Sequence, residues 1–170
     1  MLLEKNTKEA KALSGDLGKA RVVIGIGRGL RSEGTFAEVL TFAERIGAQI
    51  AGTRAAVDMQ WVSEDREVGL SGRRITPDLY IAIGLSGANF HTIGMHTAKK
   101  IIAINTDKKA RIFRIADFCV YEDADRVLRY LLNAENLEKL SKRDTSELAK
   151  RLVFLLKTFP HSVNSVRRND

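Results

Sequence analysis

The sequence predicts an α/β domain, with a parallel sheet covered by helices on both faces, three layers in all. Three observations carry this reading. Five short apolar runs, rich in β-branched residues, alternate with helical or loop-like segments between residues 21 and 121. The strongest runs are apolar at consecutive positions, as in strands buried on both faces. The chain of 170 residues, 44% of them hydrophobic, can also build a core for one compact domain.

Residues 3–14 read as a short polar helix that ends at Ser14-Gly15-Asp16. Residues 21–27 form the first strand, closed by Gly25 and Gly27. Thr35-Phe36-Ala37-Glu38 has the Ser/Thr-x-x-Glu form of a capping box. Phe36, Val39, Leu40, Ala43 and Ile46 follow at helical spacing, and Gly47 ends that helix. Residues 48–52 make a second strand, and 53–77 an irregular, charged and glycine-containing segment of functional character. Residues 79–84 form the third strand. The turn at 86–88 then opens a helix expected to run to about Ala98. Residues 100–105 and 118–121 supply the fourth and fifth strands. Two helices follow at about 124–140 and 144–158, the second with Leu148, Leu152, Leu155 and Leu156 on one face, and 160–170 reads as a frayed end. The expected division is an α/β domain over 1–123 and a basic helical extension over 124–170 that packs on it.

Composition narrows the function. The net charge is +7, of which +3 falls on residues 1–123 and +4 on the shorter tail. Such a surplus suits an anionic ligand or an acidic partner. Aromatics amount to only 6%, and the basic residues are scattered, which argues against nucleic acid. No apolar run reaches the roughly 18 residues of a membrane span. The charged start lacks a secretory signal, and a single cysteine, Cys119, precludes an internal disulfide. A cytoplasmic protein is expected. No nucleophile–base–acid set and no metal-ligand cluster stands out, since His91 and His96 sit at i, i+5.

In such sheets ligands bind beyond the carboxyl ends of the strands. After strand one stands Gly27-Arg28-Gly29-Leu30, a Gly-rich turn that is not G-x-G-x-x-G. After strand two come Thr53 and Arg54, with Asp58 as an alternative salt-bridge partner for the arginine. After strand three, Ser86-Gly87-Ala88 offers small residues that let phosphate oxygens approach backbone N–H groups. Asn105-Thr106-Asp107 and Glu122-Asp123 follow strands four and five. Trp61 and Met59 are expected to close a loop onto the core, and Cys119 to be a small buried residue.

Residues 21–123 resemble the C-terminal, FAD-binding domain of the electron transfer flavoprotein alpha subunit. The resemblance rests on six ordered blocks: GRGL at 27–30, TRAAVD at 53–58, EVGLSG at 67–72, PDLYIAIGLSGA at 77–88, IIAINTD at 101–107 and IFRIADF at 112–118. It implies a Rossmann-like fold, bound FAD, a beta-type subunit or redox dehydrogenase as partner, and electron carriage rather than conversion of a substrate. By the resemblance, Arg28 lies near the cofactor. Thr53 meets phosphate, and Arg54 lies against the isoalloxazine, where a fixed cation raises the flavin potential. Ser71 stands for the threonine that bonds the flavin N5. Ser86, Gly87 and Ala88 face the pyrophosphate and ribityl chain, His91 a carbonyl of the ring, and Asn105 and Asp123 the adenosine end.

The sequence departs from that family where the ring would lie. Phe90, Glu67 and Leu70 each stand where the family has glutamine, Ile26 replaces a glycine, and Arg111 replaces a proline. The family's amino-terminal domain has no counterpart here, so either a stand-alone relative or a part supplied by another chain is expected, and a homodimer through the uncovered face. The alternative reading is a nucleotide-binding or interaction module that keeps the fold without flavin.

Overall fold

The computed structural model describes residues 10–140 and 144–159, together with the backbone of 164–166. Five parallel strands run β1 (Val22–Ile26), β2 (Gln49–Gly52), β3 (Leu79–Ile83), β4 (Lys100–Ile104) and β5 (Phe118–Val120). A sixth, β6 (Asn164–Val166), pairs antiparallel with β5, placing Cys119 opposite Ser165. The spatial order is β2-β1-β3-β4-β5-β6. The sheet is therefore doubly wound and Rossmann-like, with its change of direction between β1 and β3.

The apolar runs hide an alternation of size. Ile24, Ile26, Ile81, Ile83, Ile102, Ile104, Phe118 and Val120 point to one face, where they form the larger core cluster. Val23, Ala51, Ala82, Ala103 and Cys119 point to the other, together with Tyr80 and Ile101. The first face is covered by α1 (Glu33–Ile46) and by three later helices, α4 (Ala124–Leu131), α5 (Ala134–Leu140) and α6 (Thr145–Lys157). Phe36, Phe42, Leu128, Leu140, Leu152 and Leu156 share this one cluster, so the carboxyl-terminal helices pack against the sheet and α1. The second face carries loops, a 3-10 turn at Arg111–Arg114, and α3 (Asn89–Thr92). A five-residue helix, α2 (Arg54–Asp58), follows β2.

Five expectations change in detail. Helix α1 starts at Glu33, not after Thr35: the Ser32 hydroxyl, on an extended residue, accepts from the Thr35 N–H at 3.1 Å. Thr35 instead sits in the first turn and donates its hydroxyl to the Asp125 carboxylate, tying α1 to α4. Gly47 ends α1 in the left-handed conformation, φ 74°, as its position suggested. The helix expected from 86–88 to Ala98 is only the four residues of α3. The loop before β3 packs tightly there, where the Gly94 carbonyl accepts from the Ile75 N–H at 2.8 Å and a Cβ on Gly94 would lie 2.5 Å from the Gly69 nitrogen. The segment read as one helix over 124–140 divides into α4 and α5. Residues 164–166 of the supposedly frayed end form β6, because the outer edge of β5 offers unpaired backbone groups. Of the first predicted helix, residues 3–9 lie outside the described residues, and Lys11–Leu13 is a single 3-10 turn. No helix among the described residues is long and apolar enough to cross a membrane.

Candidate cofactor-binding site

The β1 and β3 ends meet at the change in strand direction. Gly84, with φ 65°, turns its carbonyl toward the first loop and accepts from the Gly29 N–H at 2.7 Å. A Cβ on Gly29 would stand 2.6 Å from that oxygen, so the two loops close only with glycine there. Beyond this junction lies a cavity of about 590 Å³, within the usual range for small-molecule sites. Arg28, Thr53, Arg54, Ser71, Ser86, Ala88, His91 and Asn105 all line it, and so do Glu67, Leu70, Phe90 and Asp107.

Two candidate residues stand off its wall. Gly87, φ 80°, shapes the turn: a Cβ there would meet the Ile112 nitrogen at 2.3 Å. Asp123 lines an adjoining recess, which shares Gly29, Gly84 and Asn105 with the cavity, and its carboxylate caps α4 by accepting from the Asp125 N–H at 2.8 Å.

Several wall residues already have protein partners. Thr53 caps α2, its oxygen accepting from the Ala56 N–H at 3.2 Å, which leaves the hydroxyl proton available. Asn105 donates to the Leu85 carbonyl at 3.0 Å and accepts from the Asp107 N–H at 2.9 Å, so it braces the turn after β3. Arg54 donates to Asp58 at 3.1 Å, the pairing its spacing allowed, and still reaches within 3.9 Å of Glu67. Glu67 is buried at the wall, and its other oxygen accepts the Ser71 hydroxyl at 2.8 Å. Leu70 and Phe90 form an apolar lip, 52% and 73% exposed, joined by the Leu70 N–H donating to the Phe90 carbonyl.

His91 is buried, and both of its ring nitrogens are occupied. Nδ1 lies 2.8 Å from the Val68 carbonyl and Nε2 2.7 Å from the Tyr80 hydroxyl. Burial pushes its pKa down to about 4, against the opposing pull of the Val68 carbonyl and Glu67. Burial likewise pushes the Tyr80 phenol well above its ordinary range. At neutral pH the ring is uncharged. Nδ1–H donates to Val68, and Tyr80 donates to Nε2.

Tyr80 is the functional neighbour that the linear reading missed, since it looked like one more apolar strand residue. The signal was Gly25: a Cβ there would lie 1.7 Å from the Tyr80 hydroxyl oxygen, and a glycine inside a strand often marks such a close approach. Trp61 packs on Phe36 with ring centroids 5.3 Å apart, against the core, whereas Met59 is exposed and does not close onto it as expected. Cys119 is buried. No group of three His, Cys, Asp or Glu side chains suited to a metal occurs among the described residues.

The cavity thus combines cationic and hydroxyl-bearing walls, glycine-shaped turns at two strand ends, and an apolar lip. That set suits an elongated anionic ligand with a flat apolar end. The family described as electron transfer flavoprotein FAD-binding domain matches residues 16–96, the segment that contains most of these walls. Residues 16–96 belong to this family. It is 39% identical over 130 residues to an electron transfer flavoprotein subunit alpha of Clostridium acetobutylicum, covering 76% of this chain and 38% of that protein. It is 42% identical over 127 residues to the mitochondrial subunit alpha of Oryza sativa subsp. indica, covering 75% and 36%. For the subunit alpha of Paracoccus denitrificans the identity is 44% over 108 residues, covering 64% and 35%. The chain therefore spans little more than a third of the length of these relatives. The homodimer expected from the sequence finds no support in these matches.

Proposed function

We propose that the chain binds FAD in this cavity and acts as an electron carrier, working with a beta-type flavoprotein subunit or a redox dehydrogenase. The observation that carries the reading is the convergence of Arg28, Thr53, Arg54, Ser71, Ser86, Ala88, His91 and Asn105 from four separate strand ends on one cavity. When bound, FAD supplies the electron-accepting ring, and the protein supplies position and electrostatics. Arg28, Thr53 and the Ser86–Ala88 turn would hold the phosphates. Arg54 would place a positive charge at the ring, and Ser71 would face the ring's N5. Asn105 braces the turn under the phosphates, and Asp123 would receive the adenosine end in the adjoining recess. His91, neutral and held by two hydrogen bonds, would present a fixed uncharged edge to the ring.

The test is the visible absorption spectrum of the protein before and after adding FAD, each followed by desalting. Flavin bands that remain with the protein are the expected result; a colourless protein after both steps overturns the proposal. In a flavin-loaded protein, Arg54→Ala should lower the reduction potential, and an unchanged redox titration would remove the role assigned to that cation.

A second reading is favoured by one set of residues. Leu70, Phe90 and Glu67 line the cavity, with Glu67 beside Arg54 and Ser71, the residues assigned to the ring. They would suit a module that holds an adenine nucleotide without flavin. Calorimetry decides between the two. ADP binding as tightly as FAD favours the second reading, and a large preference for FAD favours the first.

A further inference from the structure

The ring-side wall has a hydrogen-bond polarity that follows from one contact. The Ser71 hydroxyl donates to Glu67 Oε1 at 2.8 Å. An ionised carboxylate only accepts, so this contact uses the one proton that Ser71 has to give. Glu67 is buried, and its second oxygen lies 3.9 Å from the Arg54 guanidinium, which can only donate. Both residues line the cavity. What Ser71 shows a ligand is therefore lone pairs.

We propose that Glu67 turns Ser71 into an acceptor toward the cavity, so that this wall favours a ring position bearing hydrogen over a ring nitrogen that can only accept. The inference rests on the FAD reading above and deepens it. Oxidised FAD has an acceptor-only nitrogen at N5, whereas the reduced ring carries N5–H. The site is thus built to hold the reduced ring better than the oxidised one. Arg54 also defines what a glutamine at 67 would do. Arg54 has only donors, so an amide would turn its oxygen to the guanidinium and its NH₂ to Ser71. The serine proton would then be free to point into the cavity.

The experiment compares calorimetric affinities for oxidised FAD and oxidised 5-deaza-FAD, in which C–H replaces N5. Taking the ratio cancels the general effect of removing a negative charge. The wild-type protein should bind the two within about two-fold of each other. Glu67→Gln should shift the ratio toward FAD by about five-fold, the worth of one ordinary hydrogen bond. Adding Ser71→Ala to that variant should abolish the shift.

A wild-type protein that already prefers FAD by five-fold or more overturns the proposal, as does a ratio that Glu67→Gln leaves unmoved. A wild-type protein that binds the two flavins alike, beside a Glu67→Gln protein that binds FAD about five-fold more tightly than deaza-FAD, supports it. If neither flavin binds either protein, the FAD reading fails and takes this one with it. If both bind with a fixed ratio, only this inference fails.

Discussion

The two faces of the sheet are built differently. The face under α1, α4, α5 and α6 receives the large side chains, with Ile24, Ile81, Ile102, Phe36, Phe42 and Leu156 in one aliphatic and aromatic cluster. The opposite face receives Val23, Ala51, Ala82, Ala103 and Cys119, and loops rather than long helices cover it. Small side chains let backbone come close to the sheet, and close backbone is what shapes a ligand wall. The one large polar exception, Tyr80, reaches into space left by Gly25 to hold His91. The comparison teaches a division of labour: stability is concentrated on the helical face, and the site is formed on the loop face.

Paired substitutions would break that comparison most sharply. Phe36→Ala, at a fully buried position, should cost about 3–5 kcal/mol in denaturant unfolding. Its cavity should keep its ligand affinity under conditions where the variant is folded. Ala103→Leu, on the loop face, should cost only about 1–3 kcal/mol by overpacking. Its ligand affinity should nevertheless fall, because Leu85 and Ala110, which share that cluster, also line the cavity. Equal effects of the two variants on affinity would dissolve the distinction.

Tyr80→Phe sharpens it further. Removing the hydroxyl leaves the buried Nε2 of His91 without its donor, at a cost of about 1–3 kcal/mol in unfolding free energy. The same histidine makes stability depend on pH. Its folded pKa is about 4, below the ordinary 6.5, so the unfolded chain takes up the proton first. The contribution is complete above pH 6.5 and is lost as pH falls toward about 4. His91→Gln should flatten that part of a urea-unfolding series across pH, whereas an unchanged slope would show that the histidine is not buried neutral. The smallest effect belongs to the outer side of the helical face. Lys139→Ala breaks an exposed i, i+4 contact with Glu135, and it should cost at most about 0.5 kcal/mol and leave ligand affinity untouched.

Much of this was legible in the chain itself. Five apolar runs separated by helix or turn signals suffice for a parallel sheet, because local periodicity and glycine placement are properties of short segments. The strand-end residues Arg28, Thr53, Arg54, Ser86 and Asn105 were legible for the same reason: in a doubly wound sheet, the end of a strand is a place in space as well as in sequence. Tertiary structure decided the rest. Which side chain of an all-apolar strand faces helices and which faces loops depends on what packs there, so the size alternation had meaning only once both layers were in place. The length of α3 depended on Gly94 meeting a loop from residues 67–75, a contact no local pattern shows. The pairing of Ser71 with Glu67, and of His91 with Tyr80 across 11 positions, likewise arose from the fold. Sequence lists the groups that can donate and accept, but only their placement in three dimensions determines which proton is still free to meet a ligand.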